Sequence, residues 1–276
     1  MAAQGADIIL VAPPAGCQED ARSTWPVTEA NLAVPTQQAD GTYPGGRARL
    51  SFERELVALR RRVIQQATLA MQMLQESLDA LWKLDRSIAA EMKIRDNTVD
   101  DEEVAIEQAC FRLLALQQPV ARDFRAVAFV LRVNADLERV ADHACSIAKT
   151  ARKIEGDTPP KWPTALLEMG ERVPYMCQRL LQSVLAEDAE AARKIIDEDE
   201  TIDKLHKQLF VETIEFMRAE PNREANGLHI ARLGRVLERV GDLMANIAED
   251  VVFLVTGEIV RHEKHADSPR ETPPAR

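Results

Sequence analysis

Apolar residues recur at steps of three and four along most of this chain, and this period constrains the fold more than any other feature. From Phe52 to Leu81 the repeat places one apolar stripe on one face of a long helix. The same period continues after each interruption and predicts six helices. Their bounds fall near residues 52–84, 85–116, 120–154, 164–186, 188–219 and 224–260.

The predicted helix ends rest on a few local signals. Asp85 and Asp188 are good N-caps for the second and fifth helices, because a short carboxylate can accept from the first free backbone N–H groups. Pro119 and Pro221 end the second and fifth helices. Pro174 falls inside the fourth helix and is expected to bend it.

The sequence also contains an internal repeat. Leu137–Asp142 (LERVAD) recurs 100 residues later as Leu237–Asp242 (LERVGD). The duplication predicts an all-α fold of two tandem, pseudo-repeated three-helix bundles, each running up-down-up. We place the bundles at 49–156 and 164–262, joined by a linker at 157–163. Residues 1–48 and 263–276 show no period and are predicted to form a disordered N-terminal tail and a flexible C-terminal tail.

The charge balance limits the partners of the chain. There are 45 acidic against 35 basic side chains, a formal net charge of −10. This argues against a nucleic-acid binder, which needs a basic surface, and favours metal cations or a basic partner. No apolar run reaches the roughly 18 residues of a membrane span, so we expect a cytoplasmic protein that is peripheral to a membrane at most. We expect reduced, buried thiols rather than disulfides from Cys110, Cys145 and Cys177, which lie in helical patterns, and Cys17 has no CxxC partner.

Acidic residues form pairs at i, i+4 spacing at matching places in the two halves. Residues four apart share a helix face, with Cβ atoms about 5–6 Å apart. Two like charges at that spacing cost a few tenths of a kcal/mol unless a cation relieves them. The four pairs are Asp96/Asp100, Glu138/Asp142, Asp199/Asp203 and Glu238/Asp242.

These pairs also match across each helical hairpin. In an antiparallel pair, the numbers of residues at equal depth add up to a constant, which is 238 for the first hairpin and 441 for the second. Asp96 should then lie level with Asp142, and Asp199 level with Asp242. If the right faces meet, each half presents four carboxylates in one patch. Such a patch suits a hard cation such as Mg, Mn, Ca or iron.

The alternative reading is that these acids are ordinary solvated helix faces, as expected in an acidic chain. Arg139 and Arg239 directly follow the two glutamates and could pair with nearby acids instead of leaving them to a metal. The spacing alone does not decide between the two readings.

Several stretches resemble the PhoU family. They are Asp136–Asp142, its echo Leu237–Asp242, Asp199–Asp203, the run Val104–Cys110, and the pair Gln118-Pro119. The resemblance covers residues 50–262 and is carried mainly by the doubled E/D-xxx-D motif. PhoU proteins are phosphate-signalling regulators built from two three-helix bundles, so the resemblance implies the same fold and role here.

The resemblance further implies multinuclear metal clusters on the motif pairs, with iron expected first and Mg, Mn or Ca otherwise. Asp96, Asp100, Glu138 and Asp142 would hold one metal site, and Asp199, Asp203, Glu238 and Asp242 would hold the other. Glu103 and Glu107 are doubtful additions. It also implies negative regulation of phosphate uptake. The partners would be the cytoplasmic side of the phosphate-specific ABC transporter and its sensor histidine kinase.

We expect a homo-oligomer, namely a dimer, and no catalytic residues. Two competing functions stay open from the sequence. One is a metal-dependent enzyme with a carboxylate-bound metal, for which His206, one turn from Asp203, is a weak signal of a ferritin-like site. The other is a purely structural helical scaffold.

Overall fold

The protein is described by a computed structural model over residues 46–219 and 224–260. Within these residues the chain forms six α-helices and no strand. The helices are α1 (Gly46–Lys83), α2 (Ile88–Gln117), α3 (Ala121–Ala151), α4 (Thr164–Ala186), α5 (Ala189–Ala219) and α6 (Glu224–Thr256). Helices α1–α3 pack as one bundle and α4–α6 as a second, which confirms the predicted all-α fold of two three-helix bundles. The predicted tails lie outside the described residues, except that residues 46–48 belong to α1.

Two helix ends differ from the prediction by more than three residues. Helix α1 begins at Gly46 rather than near residue 52, because polar i, i+4 pairs such as Arg49 with Glu53 support turns that carry no apolar period. Helix α6 ends at Thr256 rather than near residue 260. Gly257 takes the left-handed conformation with φ 81° and donates its N–H to the Phe253 carbonyl at 2.9 Å, which closes the last turn.

The predicted caps fare differently. Asp188 caps α5 as predicted, because its Oδ1 accepts from the N–H groups of Glu190 and Ala191 at 2.9 and 3.0 Å. The prediction for Asp85 is wrong by two residues, since Ser87 holds the N-cap position of α2. Asp85 instead accepts from the Ser87 N–H and hydroxyl in a local turn. Helix α4 continues through Pro174 without an interruption.

Helices α3 and α6 join the two bundles and run antiparallel. Arg132 of α3 lies 2.9 Å from the Asp250 carboxylate of α6, and Arg125 lies beside Gly257. The residue numbers of both pairs add up to 382, so the register is constant along the contact. A single apolar core runs through both bundles. Helix α1 also contacts the second bundle, and its Trp82 meets Trp162, which precedes α4, edge to face with ring centroids 5.3 Å apart.

Polar contacts fix the two bundles together at their ends. The buried Asn226 side chain accepts from the backbone N–H of Glu155 at 2.8 Å and donates to its carbonyl at 3.1 Å. At the opposite end, one oxygen of the Glu187 carboxylate accepts a hydrogen bond from Arg60 at 3.0 Å, and the other accepts one from Arg122 at 2.6 Å. Glu187 has φ 49°, a conformation that costs a non-glycine residue roughly 1–2 kcal/mol. Its backbone N–H donates to the Ser183 and Val184 carbonyls, which closes the last turn of α4.

The predicted buried thiols are confirmed for Cys110, Cys145 and Cys177, which are all free and buried, while Cys17 lies outside the described residues. Among the helices that the structure describes, none combines the length and the apolarity needed to cross a membrane.

The burial of Asp250 beside Arg132 makes the stability depend on pH. Burial raises the pKa of Asp250 from 3.8 to about 6, with Arg132 opposing the shift and Asp136 adding to it. The folded protein therefore binds this proton more tightly than the unfolded chain does. The stabilisation that this proton gives the folded state is complete below pH 4 and is lost as the pH rises to about 6.

We predict that Asp250→Asn removes this pH dependence of stability. The unfolding free energy of the variant, minus that of the parent, should rise by about 1–3 kcal/mol between pH 4 and 6 and then level off. Urea unfolding at each pH measures it, with the exposed Asp197→Asn as the matched control. A difference that stays constant across this range would contradict the prediction.

Candidate functional site

The first acidic cluster lies between α2 and α3. Asp96 and Asp100 come from α2, and Glu138 and Asp142 come from α3. Asp96 is only 2% exposed, Asp100 and Glu138 are partly exposed, and Asp142 is exposed. The four carboxylates therefore run from the edge of the core outward to solvent.

Two hydrogen bonds outside the cluster show the register of this hairpin. The Asn134 side chain donates to the Glu103 carbonyl at 2.9 Å, and the Cys145 thiol donates to the Met92 carbonyl at 3.3 Å. The residue numbers of each pair add up to 237, one away from the predicted 238. The two acidic pairs of this hairpin are therefore at the same depth.

The charges of the first cluster act on one another. Burial, followed in decreasing order by the charges of Asp142, Glu103, Asp100 and Asp96, raises the pKa of Glu138 to about 7. Burial also raises the pKa of Asp100, and the neighbouring charges of Asp96 and Asp142 add to the shift. Every acid of this cluster thus contributes to one shared negative potential.

One basic side chain offsets part of that potential. The Lys93 ammonium lies 2.9 Å from Asp96 and feels Asp100 as well. Arg139, which could have paired with Glu138, instead lies 3.5 Å from Asp136. Sequence inspection did not single out Lys93, although its i, i+3 spacing from Asp96 could have shown it.

The second cluster depends on a glycine stripe on α6. Gly227, Gly234 and Gly241 recur every seven residues and so share one face. A Cβ at Gly234 would lie 2.2 Å from the Leu209 side chain, and one at Gly241 would lie 3.3 Å from the Asp199 carboxylate. A side chain at either position would press on α5, so these glycines let α5 approach α6 closely and bring Asp199 beside the turn that carries Asp242.

The charges of the second cluster are balanced differently. Burial raises the pKa of Asp242, and the Glu238 and Asp203 carboxylates raise it further. Glu238 Oε1 accepts from Arg235 at 2.5 Å and lies 4.0 Å from His206 Nδ1. Among the residues that the structure describes, Glu238 Oε2 is buried and has no hydrogen-bond partner. An unpartnered buried carboxylate oxygen is costly, so this atom would gain from a cation.

The antiparallel contact between α3 and α6 sets the two clusters at the same height. In that register Glu138 is level with Met244, and Glu238 is level with Ala144. His143 shows the same proximity, since burial lowers its pKa and the nearby positive charge of Arg239 lowers it further. The clusters therefore lie on either side of the central α3–α6 contact, within about one helical turn of a common level.

Comparison with known proteins gives the family. The family model for the PhoU domain matches residues 63–151 and again 166–251. The chain belongs to the PhoU family. The two matched stretches coincide with the two bundles, and each contains one of the acidic clusters.

Several relatives are similar over almost their whole length. The PhoU homologues of Aquifex aeolicus and Deinococcus radiodurans, each named a phosphate-specific transport system accessory protein, are 33% and 32% identical over 210 and 209 residues. These alignments cover 76% of this chain and 95% and 98% of the relatives. The solved structure of the phosphate transport system regulatory protein PhoU from Streptococcus pneumoniae matches with a TM-score of 0.70 and 32% identity, over 76% of this chain and 99% of that one. PhoU from Pseudomonas aeruginosa matches with a TM-score of 0.72 and 30% identity, over 75% and 100%.

The donor set of the two clusters suits a metal ion, because all eight predicted ligands are carboxylates and hard cations prefer oxygen. As their side chains stand, no group of three or more His, Cys, Asp or Glu within 46–219 and 224–260 is arranged to hold an ion. Metal binding by these eight residues stays a prediction. Glu103 adds its charge to the first cluster, since it raises the pKa of Glu138.

The coupling within the first cluster predicts a specific titration. Asp142 is the largest charge contribution to the raised pKa of Glu138, so Asp142→Asn should lower the Glu138 value from about 7 towards the ordinary glutamate range. Carboxyl-carbon NMR titration of metal-free protein measures it. Asp101→Asn, which removes an exposed acid of α2 that is not among the charges acting on Glu138, serves as the control. An unchanged Glu138 titration in Asp142→Asn would show that the two carboxylates do not face each other.

Proposed function

We propose that this protein is a negative regulator of phosphate uptake and of phosphate-starvation signalling. It is supported by the PhoU family match in both bundles and by relatives that are named accessory proteins of phosphate-specific transport. In this role it docks on the cytoplasmic side of the phosphate-specific ABC transporter and on its sensor histidine kinase, and it performs no catalysis. The expected homodimer and cytoplasmic location stay predictions.

We further propose that both acidic clusters bind metal ions, iron first among the candidates. The observation that supports this most is the mutual effect of the carboxylates, since burial and neighbouring charge together raise the pKa values of Glu138, Asp100 and Asp242. A multivalent cation replaces this repulsion by attraction and would lower those pKa values. The cation would crosslink α2 to α3, and α5 to α6, across the outer face of each bundle.

Metal binding of this kind would give the regulator a structural consequence. Helices α2 and α5 are the outer helices, since α2 packs mainly on α1 and α3, and α5 on α4 and α6. Without a cation, each outer helix faces its neighbour across like charges. With one, both outer helices are held firmly, and the surfaces they present to partners are fixed.

The regulatory role is tested in the cell that carries the gene. Deletion should raise a phosphate-starvation reporter severalfold in high-phosphate medium, because the negative regulator is lost, and the unaltered gene should restore repression. An unchanged reporter after deletion would contradict the role.

The clusters are tested in the same strain. We predict that Asp100→Asn with Asp142→Asn, or Glu238→Gln with Asp242→Asn, fails to restore repression while the protein accumulates normally. The loss of metal affinity should exceed the roughly 10- to 100-fold cost of removing an outer partner of a metal ligand. Asp197→Asn with Glu200→Gln, exposed acids of α5, is the matched control. Full repression by both cluster variants would show that the acids have no regulatory role, as expected of a purely structural scaffold.

A further inference from the structure

Helix α2 carries apolar side chains on its solvent face as well as in the core. Near its end Phe111 and Leu116 are 54% and 73% exposed. The chain then exposes Val120 at 75% in the connecting loop and Phe124 at 49% in the first turn of α3. We name these four residues the α2–α3 corner. Such a concentration of exposed large apolar groups marks an interaction surface.

The start of α1 borders this corner. Helices α1 and α2 are antiparallel, with Arg62 paired to Glu102 at 2.6 Å. In that register Leu50, which is itself 55% exposed, lies level with Leu114 in the last turn of α2. The 45 residues that precede Gly46 are therefore joined to the bundle at the edge of the corner.

The charges around the corner are predominantly basic. Residues 49–61 and 107–125 contain seven arginines against four acids, and Glu187, which pairs with Arg60 and Arg122, brings the net charge from +3 to +2. Residues 1–45 contain five acids against Arg22 alone, a net charge of −4. The preceding segment also carries apolar groups that an apolar surface can bind, namely Ile8, Ile9, Leu10, Val11 and Trp25. The segment and the corner are complementary in charge and alike in hydrophobicity.

A second apolar corner in the molecule provides a comparison. Phe210, Val211, Ile214 and Leu228 are exposed where α5 meets α6. Residues 207–219 and 224–228 carry three acids against two basic groups, a net charge of −1, which repels an acidic segment. Because α3 and α6 are antiparallel, this second corner is at the far end of the molecule from Gly46. The length of α3, 31 residues, makes that separation about 46 Å.

The length of the segment suits the near corner. A random coil of 45 residues would have a root-mean-square reach of about 35–40 Å, which is enough to bring its apolar groups to the α2–α3 corner. A tether of this kind gives an effective concentration of about millimolar, at which even weak contacts are populated. The PhoU family match begins at residue 63, so the segment is an addition to the matched fold.

We propose that residues 1–45 bind back onto the α2–α3 corner of the same chain. The apolar groups of the segment cover Phe111, Leu116, Val120 and Phe124, and its acids face the arginines around them. While bound, the segment occupies the corner and keeps it from other partners. This inference does not depend on the proposed metal sites or on the regulatory role.

Photo-crosslinking of the full chain tests the proposal. With p-benzoylphenylalanine in place of Trp25, illumination should attach the probe chiefly to peptides containing residues 111–124 of the same molecule. A mixture of unlabelled and ¹⁵N-labelled protein separates attachment within one chain from attachment between copies. Mass spectrometry of the digest gives the yield at each corner.

Variants in the same probe-bearing chain identify the contacts. Phe111→Ser with Phe124→Ser should lower the yield at the α2–α3 corner at least threefold, and Arg54→Glu with Arg112→Glu should do the same. These side chains are exposed, and circular dichroism checks that each variant folds. The matched controls are Phe210→Ser and Lys207→Glu at the second corner, which should leave the yield unchanged.

The other outcomes contradict the proposal. Attachment mainly between labelled and unlabelled copies would make the corner a surface for a second copy of this chain. Attachment mainly to residues 207–228, or an even spread over the surface, would show that the segment does not select the α2–α3 corner. No attachment above the level of a denatured sample would show that it does not bind back at all.

Discussion

The antiparallel pairing of α2 with α3, and of α5 with α6, carries the functional geometry of this protein. It brings like-charged acids to the same depth on facing helices, an arrangement that is unfavourable by itself. Each like-charged i, i+4 pair costs a few tenths of a kcal/mol. Each large apolar side chain buried beneath the acids, such as Val99, Ile106 or Val140, contributes about 1.5–3 kcal/mol. The core therefore fixes the register, and the acids lie close together in spite of their mutual repulsion.

The two clusters reach similar geometry by different packing. In the first, Ala141 lies at the position that Gly241 occupies in the second, and Lys93 offsets part of the negative charge. In the second, the glycine stripe lets α5 approach α6 closely. Arg235 donates to one oxygen of Glu238, and the other oxygen is buried without a partner among the described residues. The internal repeat thus preserved the acids and the register, while their positive neighbours differ between the halves.

The sequence predicted the parts of this structure that follow from local period and from duplication. Six helices, two bundles and the depth of the acidic pairs in the first hairpin could all be read from apolar spacing and from the position of Pro119. The inter-bundle contacts could not, because Arg132 with Asp250, and Arg60 with Glu187, join residues more than 100 apart that share no motif. The Asp85 cap failed because two polar residues, Asp85 and Ser87, compete within one turn. The identity of the metal lies beyond spacing, since oxygen ligands accept several hard cations.

The central claim is that both carboxylate clusters hold cations between their helix pairs. Anomalous X-ray diffraction tests it on crystals of protein purified without chelator or affinity metal and then soaked with Mn²⁺ as a reporter. The account predicts two anomalous peaks, one within ligand distance of Asp96, Asp100, Glu138 and Asp142, and the other of Asp199, Asp203, Glu238 and Asp242. Peaks confined to other surfaces, or no peaks at full soak, would contradict it.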